Sequence, residues 1–243
     1  MNTIAIIQAR LGSTRLPGKV LEDLCGQTVL AWVVSRVRLA KLVDSVVVAT
    51  TKEALDEAIV RECAMLGVDV FRGDEQDVLD RFFRAAQWKG ASTVVRITAD
   101  CPLIDPGVTD TTISTFLARQ PDYASNTLER TYPRGLDTEV ISLAALERAW
   151  KEAREPYQRA HVTPYLYQNP QLFNLVSVKG GADYSSDRWT LDTVEDLKFL
   201  RAVCDRFRGQ AEMTWVDILA LLEREPSLRH INNKVSQKAM HEG

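Results

Sequence analysis

The sequence predicts an α/β protein whose mostly parallel central sheet is covered by helices on both faces. Residues 3–9, 44–50 and 92–99 are short apolar, β-branched runs, as expected of strands that are buried on both sides. Segments with apolar residues at helical spacing lie between them, at 28–42 and 75–89. Strands that alternate with helices in this way form parallel sheets, because each helix carries the chain back across the sheet.

The remaining elements complete this pattern in chain order. A helix at 53–66 and a brief strand at 68–71 finish the first half of the chain. After residue 121 the sequence predicts strands at 123–126, 136–142, 173–178 and 189–191, and helices at 143–154, 157–168, 194–207 and 215–225. We expect residues 122–180 to form an inserted subdomain or dimer arm, and the polar residues after Pro226 to be frayed.

The composition excludes several classes of protein. The 243 residues are 45% hydrophobic and 26% charged, which is unlike collagen-like, disordered or disulfide-scaffold chains. The formal net charge of -3 provides no basic field for a nucleic acid. No apolar run approaches the roughly 18 residues of a membrane helix, and no signal peptide is recognisable. We therefore expect one cytoplasmic domain over 1–243 that binds neither nucleic acid nor membrane, with its four widely spaced cysteines reduced.

A loop rich in glycine and basic residues follows the first predicted strand. Residues 1–21 contain Arg10, Arg15 and Lys19 but no acid, and open α/β sheets bind ligands at the carboxyl ends of their strands. Five residues separate Gly12 from Gly18 and a valine follows Lys19, so the loop is not a P-loop, and no G-x-G-x-x-G fingerprint is present. The loop predicts a polyphosphate site, and the alternative is a solvated turn with scattered bases.

Six segments of the chain resemble a known family in the expected order. They are IIQARLGSTRLPGKVL, RGDEQDVLDRF, VRITADCPLIDP, PRGLDTEVIS, HVTPYLY and RWTLDTVEDL. They look like the motifs of the SpsF-like, spore-coat polysaccharide type of cytidylyltransferase, which is related to the CMP-Kdo and CMP-acylneuraminate synthetases. The resemblance implies a Rossmann-like, GT-A-like nucleotidyltransferase fold in three layers. It also implies a homodimer formed through the central insert at 122–180.

The reaction implied by the resemblance is attack by an acceptor oxygen on the α-phosphorus of CTP, with release of pyrophosphate and dependence on Mg²⁺. Such a transfer needs neutralised phosphates and aligned oxygens, and it needs no protein nucleophile. The catalytic residues would be Arg15, Lys19 and Asp100. The residues that would contact the nucleotide are Arg10, Leu11, Gly12, Ser13, Arg15, Lys19, Gly73, Asp77 and Arg81. For Asp77 and Arg81 taken singly, charges on a helix surface are the alternative.

Two aspartates are candidate metal ligands. Asp100 follows a predicted strand, where position alone leaves metal binding and a turn or helix-cap role about even. Asp192 begins a D-x-x-E arrangement, which by itself favours a helix cap. The resemblance implies that both aspartates face Mg²⁺, and a cap position does not exclude that role.

The acceptor would meet the nucleotide in the middle of the chain, at Arg134, Asp137, Glu139 and His161. On a strand, Asp137 and Glu139 point to one face, which would bind acceptor hydroxyls or ammonium groups or would be a solvated edge. His161 is a candidate base or phosphate contact, although a lone histidine is more often a structural hydrogen bonder. The family pattern has an acid before this histidine, where the chain has Ala160.

The acceptor class stays open among sugars, sugar acids, sugar phosphates and phosphonates. Two other functions also fit the predicted fold. One is a glycosyltransferase that uses a nucleotide-sugar, although the usual D-x-D metal motif is reduced to Asp100 alone. The other is a catalytically silent nucleotide-binding subunit of a dimer, although the loop bases and both metal-facing aspartates are present.

Overall fold

The computed structural model describes residues 2–210 and 212–237. The strands are β1 Thr3–Gln8, β2 Asp23–Leu24, β3 Gln27–Thr28, β4 Ser45–Thr51, β5 Asp69–Gly73, β6 Thr93–Thr98, β7 Tyr123–Ser125, β8 Glu139–Ser142 and β9 Leu175–Ser177. The α-helices are α1 Val29–Arg38, α2 Glu57–Met65, α3 Val78–Trp88, α4 Pro106–Arg119, α5 Leu143–Glu152, α6 Pro156–His161, α7 Pro164–Tyr167, α8 Val194–Arg206 and α9 Trp215–Arg224. Short 3-10 helices cover Lys19–Leu21, Ala54–Asp56 and Pro226–Ile231.

Seven of the strands form one sheet in the order β5-β4-β1-β6-β8-β7-β9. The pairs of β1 with β4, β1 with β6, β4 with β5 and β7 with β9 are parallel, whereas β8 runs antiparallel to both of its neighbours. The prediction of a mostly parallel sheet is therefore confirmed. Because β1, β4, β5 and β6 are parallel, their carboxyl ends meet at one edge, where open α/β sheets place ligands.

Helices cover both faces of the sheet, which explains the continuous apolar runs of the central strands. In β1, Ala5 and Ile7 belong to the core that packs on α1, α2 and α4, whereas Ile4 and Ile6 belong to the core that packs on α3 and α5. Side chains alternate between the faces of a strand, so a strand with two covered faces needs apolar residues at every position. A third core joins α8 and α9 to Trp32 of α1.

Three predicted elements differ from the structure. The strand predicted at 136–142 begins only at Glu139, and residues 189–191 form no strand, since the backbone there makes one isolated bridge between Arg134 and Arg188. The helix predicted at 157–168 is divided into α6 and α7. The break lies at Val162, whose φ of +72° departs from the helical conformation. Pro164 then begins α7, where the missing N–H of a proline costs no helical hydrogen bond.

Residues 122–180 are part of the central sheet, to which they contribute β7, β8 and β9. Part of the segment after Pro226 is also packed, because Leu228 and Asn232 are only 5% and 4% exposed. The expectation of a frayed segment is therefore wrong for these residues, whereas residues 238–243 lie outside the described part of the chain. Over residues 2–210 and 212–237, no helix combines the length and apolar character that crossing a bilayer requires.

The expectation of four reduced cysteines is wrong for one pair. Cys25 and Cys204 form a disulfide, with their Cα atoms 6.4 Å apart, whereas Cys63 and Cys101 are buried free thiols. The pair joins the turn between β2 and β3 to α8, and its members are 179 residues apart in the chain. Such a pairing depends on the packing of distant elements, and sequence spacing gives no sign of it.

Candidate active site

The glycine-rich loop lies at the edge where β1 and β6 end. The carbonyl oxygen of Leu11 accepts hydrogen bonds from the N–H groups of Ser13 (2.8 Å) and Gly18 (3.0 Å), which folds residues 11–18 into a closed loop. Gly18 has a φ of +76°, a left-handed conformation that favours glycine, and it precedes the 3-10 helix that begins with Lys19. The loop conformation therefore directs Lys19 toward the sheet edge.

A buried carboxylate holds the loop against the sheet. Asp56 is 2% exposed, and its Oδ1 atom accepts from the N–H of Leu11 at 2.8 Å. Its Oδ2 atom accepts from the hydroxyls of Thr50 (3.2 Å) and Thr51 (2.5 Å) at the end of β4. One residue thus ties the start of the loop to a neighbouring strand. The sequence analysis did not single it out.

Lys19 joins the two candidate metal ligands. Its Nζ atom lies 2.7 Å from Oδ2 of Asp100, 2.7 Å from Oδ1 of Asp192 and 2.7 Å from the carbonyl oxygen of Leu191. The side chain is 11% exposed. Burial lowers the pKa of Lys19, but the charges of Asp100 and Asp192 outweigh burial and raise the pKa above 10.5. The ammonium group is therefore charged at neutral pH.

Asp192 is surrounded by cations. Its Oδ2 atom lies 2.8 Å from Nη2 of Arg15 and 2.8 Å from Nη2 of Arg188, whereas its Oδ1 atom faces Lys19. Burial raises the pKa of Asp192, but the charge and hydrogen bond of Lys19, with the hydrogen bond of Arg188, lower it to about 2. The helix cap predicted as its alternative role belongs to Thr193, whose hydroxyl accepts from the N–H of Asp196.

The donor set at this edge fits a divalent cation. Asp100 and Asp192 each place an oxygen 2.7 Å from the same ammonium group, so these oxygens lie at most about 5.4 Å apart. In the part of the chain that the structure describes, no group of three or more His, Cys, Asp or Glu side chains is arranged to hold a metal. Mg²⁺ commonly binds one or two carboxylates and takes its other ligands from phosphate and water. The two aspartates match that coordination.

The other predicted nucleotide contacts lie beside the loop, around the start of α3. Arg10 is near Glu75 at 3.5 Å, and a Cβ atom on Gly12 would be 3.3 Å from the same carboxylate. A Cβ atom on Gly73 would lie 2.9 Å from Cγ of Arg81, so this close approach requires glycine. The surface alternative is wrong for Arg81, which is 2% exposed and donates to the carbonyl oxygen of Asp74 at 3.0 Å.

Two charges in this region have structural partners. Burial, followed by the charge of Arg10, lowers the pKa of Arg81 to about 10. Asp77 is the N-cap of α3, where its Oδ1 atom accepts from the N–H of Asp80 at 2.9 Å, and its Oδ2 atom accepts from Nη2 of Arg159 at 2.5 Å. The start of α3 is thereby tied to α6.

Each of the two predicted acceptor acids is paired with an arginine. Asp137 precedes β8 and forms a two-bond ion pair with Arg130, at 2.5 and 2.7 Å. Glu139 is 5% exposed and pairs with Arg96, while the hydroxyl of Tyr123 donates to it at 2.5 Å. The prediction that both acids present one strand face is wrong, because the strand begins at Glu139.

Arg134 and His161 occupy different elements near this region. Arg134 is partly buried and its backbone pairs with that of Arg188, which brings it beside the segment that leads to Asp192. Burial, followed by the charge of Arg130, lowers the pKa of Arg134. His161 ends α6 and is partly exposed.

A cavity of about 550 Å³ opens beside α3, α5 and α6. Its lining is basic and aromatic, and it consists of Asp80, Trp150, Lys151, Ala153, Arg154 and Arg159. The sequence analysis did not single out these residues, nor the buried arginines Arg96 and Arg188. Arg96 and Arg159 pair with Glu139 and Asp77, which are distant in the chain, so no local pattern could have identified them. Arg188 pairs with Asp192 four residues later, a spacing that is visible in the sequence.

The chain is similar in sequence to several known proteins. Over its whole length it is 40% identical to an uncharacterized protein of Methanocaldococcus jannaschii, covering 99% of that protein. It is 32% identical to the spore coat polysaccharide biosynthesis protein SpsF of Bacillus subtilis, over 93% of this chain and 96% of that protein. It is also 36% identical to a 3-deoxy-manno-octulosonate cytidylyltransferase of Geobacter sulfurreducens, over 53% of this chain and 50% of that enzyme.

A solved structure has the same architecture. A cytidylyltransferase from Leptospira borgpetersenii superposes with a TM-score of 0.92 and 34% identity, covering 98% of this chain and all of the other. The sequence profile described as Cytidylyltransferase matches residues 4–219. The protein therefore belongs to the cytidylyltransferase family, whose members are CTP-dependent nucleotidyltransferases.

Proposed function

We propose that this protein transfers CMP from CTP to a small sugar-acid acceptor and releases pyrophosphate, with Mg²⁺ as its divalent cation. The observation that carries the proposal is the meeting of Lys19, Asp100 and Asp192 beside the glycine-rich loop. Two carboxylates and an ammonium group at the carboxyl edge of a parallel sheet match the needs of a nucleoside triphosphate and its cation.

The loop and its neighbours would hold the nucleotide. The exposed backbone of Gly12 and the partly exposed hydroxyl of Ser13 supply groups for close contact, and Arg10, Arg15 and Lys19 supply positive charge. Arg15 and Lys19 now pair with carboxylates. Because the triphosphate carries several negative charges, it would compete for both cations when it enters the site.

The reaction is a displacement at the α-phosphorus. The acceptor hydroxyl gives its proton to water, its oxygen bonds to the α-phosphorus, and the bond from that phosphorus to the departing pyrophosphate oxygen breaks. Mg²⁺ held by Asp100 and Asp192 would polarise the phosphate oxygens. Lys19 and Arg15 would stabilise the charge that gathers on the leaving pyrophosphate. The protein thus contributes orientation and charge rather than a covalent intermediate.

The charge balance of the acceptor region supports an anionic acceptor. Asp137 and Glu139 are neutralised by Arg130 and Arg96, and Arg134 adds a further positive charge. Asp137 and Glu139 therefore do not repel the carboxylate of an acceptor. We assign Arg134 and His161 as the residues that bind this carboxylate. The relative from Geobacter sulfurreducens is named for such a sugar acid.

We further propose that the enzyme is a cytoplasmic homodimer built through residues 122–180. Light scattering tests the assembly, since a monomer at working concentration would contradict it. The catalytic proposal is tested by pyrophosphate release from each of the four nucleoside triphosphates, with Mg²⁺ and a panel of sugars, sugar acids, sugar phosphates and phosphonates. We expect turnover with CTP and a sugar acid. No turnover with any acceptor, together with no thermal stabilisation by CTP, would refute the proposal.

A further inference from the structure

Asp196 makes more hydrogen bonds than a helix cap requires. Its Oδ2 atom accepts from the N–H groups of Asp192 (2.9 Å) and Thr193 (3.0 Å), which completes the capping box of α8. Its Oδ1 atom accepts instead from Nε of Arg188 (2.9 Å) and Nδ2 of Asn232 (2.9 Å). The side chain is fully buried. Oδ2 therefore completes the cap, whereas Oδ1 accepts from an arginine and an asparagine side chain.

Arg188 connects this buried carboxylate to the candidate cation site. Its Nη2 atom lies 3.1 Å from Oδ2 of Asp196 and 2.8 Å from Oδ2 of Asp192. The arginine side chain is 9% exposed. A guanidinium that makes two bonds to one carboxylate has a fixed plane, and its bond to a second carboxylate then restricts the rotation of that group. Asp192 is thereby held with Oδ1 toward Lys19.

The segment near the carboxyl terminus completes the arrangement. The Nδ2 atom of Asn232 donates both to Oδ1 of Asp196 and to the carbonyl oxygen of Arg188, at 2.9 and 3.0 Å. Asn232 is 4% exposed, and Gln237 accepts from Nη1 of Arg188 at 2.7 Å. The asparagine therefore fixes both the backbone of Arg188 and the carboxylate that orients its guanidinium.

We propose that Asp196 and Asn232 are positioning residues that act through Arg188 to orient Asp192 toward the cation and the phosphates. This inference rests on the proposed function, because it assumes that Asp192 faces a divalent cation in the CTP complex. Residues that orient a metal ligand typically change metal affinity or activity by about 10- to 100-fold when they are replaced. A residue that only caps a helix changes stability instead.

The test compares Asn232→Ala and Asp196→Asn with the control Asp217→Asn. Asp217 completes an equivalent capping box with Thr214 at the start of α9. Mn²⁺ binding is measured by electron paramagnetic resonance in the presence of a non-hydrolysable CTP analogue, alongside kcat and KM for CTP. Both test variants should weaken Mn²⁺ binding about tenfold or more and lower kcat, with KM for CTP changed less than about twofold. The control should keep wild-type values.

Lower melting temperatures of the two variants, with unchanged Mn²⁺ affinity and kcat, would assign Asp196 and Asn232 to helix stability alone and would overturn the inference. Asn232→Ala leaves every charge in place, so it decides the question if Asp196→Asn fails to fold. A wild-type protein that binds neither the analogue nor Mn²⁺ would overturn the proposed function and the inference with it. Tight wild-type binding that both variants retain would overturn the inference alone.

Discussion

Replacing Lys19 by methionine removes the ammonium group that joins Asp100 to Asp192 and keeps a side chain of similar length. We expect Lys19→Met to lower the free energy of unfolding at pH 7, because two partly buried carboxylates lose their shared cation. The pKa of Asp192 is about 2 in the folded protein, against an ordinary value of 3.8. That difference corresponds to about 2.5 kcal/mol of net stabilisation, after the opposing effect of burial.

Lys19 is the first of the favourable partners of Asp192, ahead of Arg188 and Arg15. Assigning it roughly half of this stabilisation, and adding the lost contact with Asp100, gives a destabilisation of about 1–3 kcal/mol. For a chain of this length, each kcal/mol changes the melting temperature by about 2–4 °C. The variant should therefore melt roughly 2–12 °C below the wild type. Differential scanning calorimetry measures the change.

The pH dependence distinguishes this cause from a general packing defect. The folded pKa of Asp192 is lowered, so its contribution is present above pH 3.8 and is lost as the pH falls toward about 2. The folded pKa of Lys19 is raised, so its contribution is present below pH 10.5 and is lost as the pH rises through the folded value. The difference in melting temperature between variant and wild type should therefore be largest between about pH 5 and 10 and shrink on both sides.

Divalent cations provide a second measurement on the same variant. In the wild type, the ammonium group of Lys19 contacts both carboxylates, and in Lys19→Met that positive charge is absent. Mn²⁺ should therefore raise the melting temperature of the variant more than that of the wild type. Lys198→Met, which changes an exposed lysine of α8, is the control and should behave as the wild type. A pH-independent difference, or equal stabilisation of both proteins by Mn²⁺, would refute the reasoning.

Three further replacements test other parts of the structure. Asp100→Asn should lower kcat at least about 100-fold in the pyrophosphate assay and change the melting temperature by less than about 5 °C, whereas retained turnover would exclude its metal role. Gly135→Ala should cost about 2–4 kcal/mol in urea unfolding, because φ is +110° and the new Cβ would lie 2.7 Å from the carbonyl carbon of Trp189. Gly181→Ala is its control, because a Cβ atom there would meet no atom within 4 Å. Equal losses in the free energy of unfolding for both variants would contradict this account. Asp56→Ala should raise KM for CTP about tenfold in steady-state kinetics, because the N–H of Leu11 loses its acceptor, and an unchanged KM would argue against this role for Asp56.

Local patterns in the sequence were sufficient to predict the layers of the fold. Apolar, β-branched runs predicted β1, β4 and β6, since strands covered on both faces need apolar side chains throughout. The strand predicted at residues 189–191 is absent, although the apolar residues Trp189 and Leu191 flank Thr190 there. Trp189 and Leu191 are buried in the third core. Because burial favours apolar residues in any kind of element, their apolar character did not by itself indicate a strand.

The loop after β1 was also predictable, because glycines and bases without acids are a local property of the chain. The roles assigned to Asp137 and Glu139 were not, since their partners Arg130 and Arg96 are brought to them by the turn before β8 and by the pairing of β6 with β8. The alternation of side chains between two faces applies only to residues within a strand. Asp137 precedes β8, so the rule does not predict where its side chain points.

The sequence by itself determined the order of the elements, the position of the glycine-rich loop and, through its motifs, the family. Only the tertiary structure decided which charges meet. Lys19 lies 81 residues from Asp100 and 173 residues from Asp192, yet one ammonium group contacts both. The physical reason is that hydrogen bonds and ion pairs act over about 3 Å, so contacts between distant residues depend on sheet topology and helix packing. The same holds for the contact of Asn232 with Arg188, which are 44 residues apart.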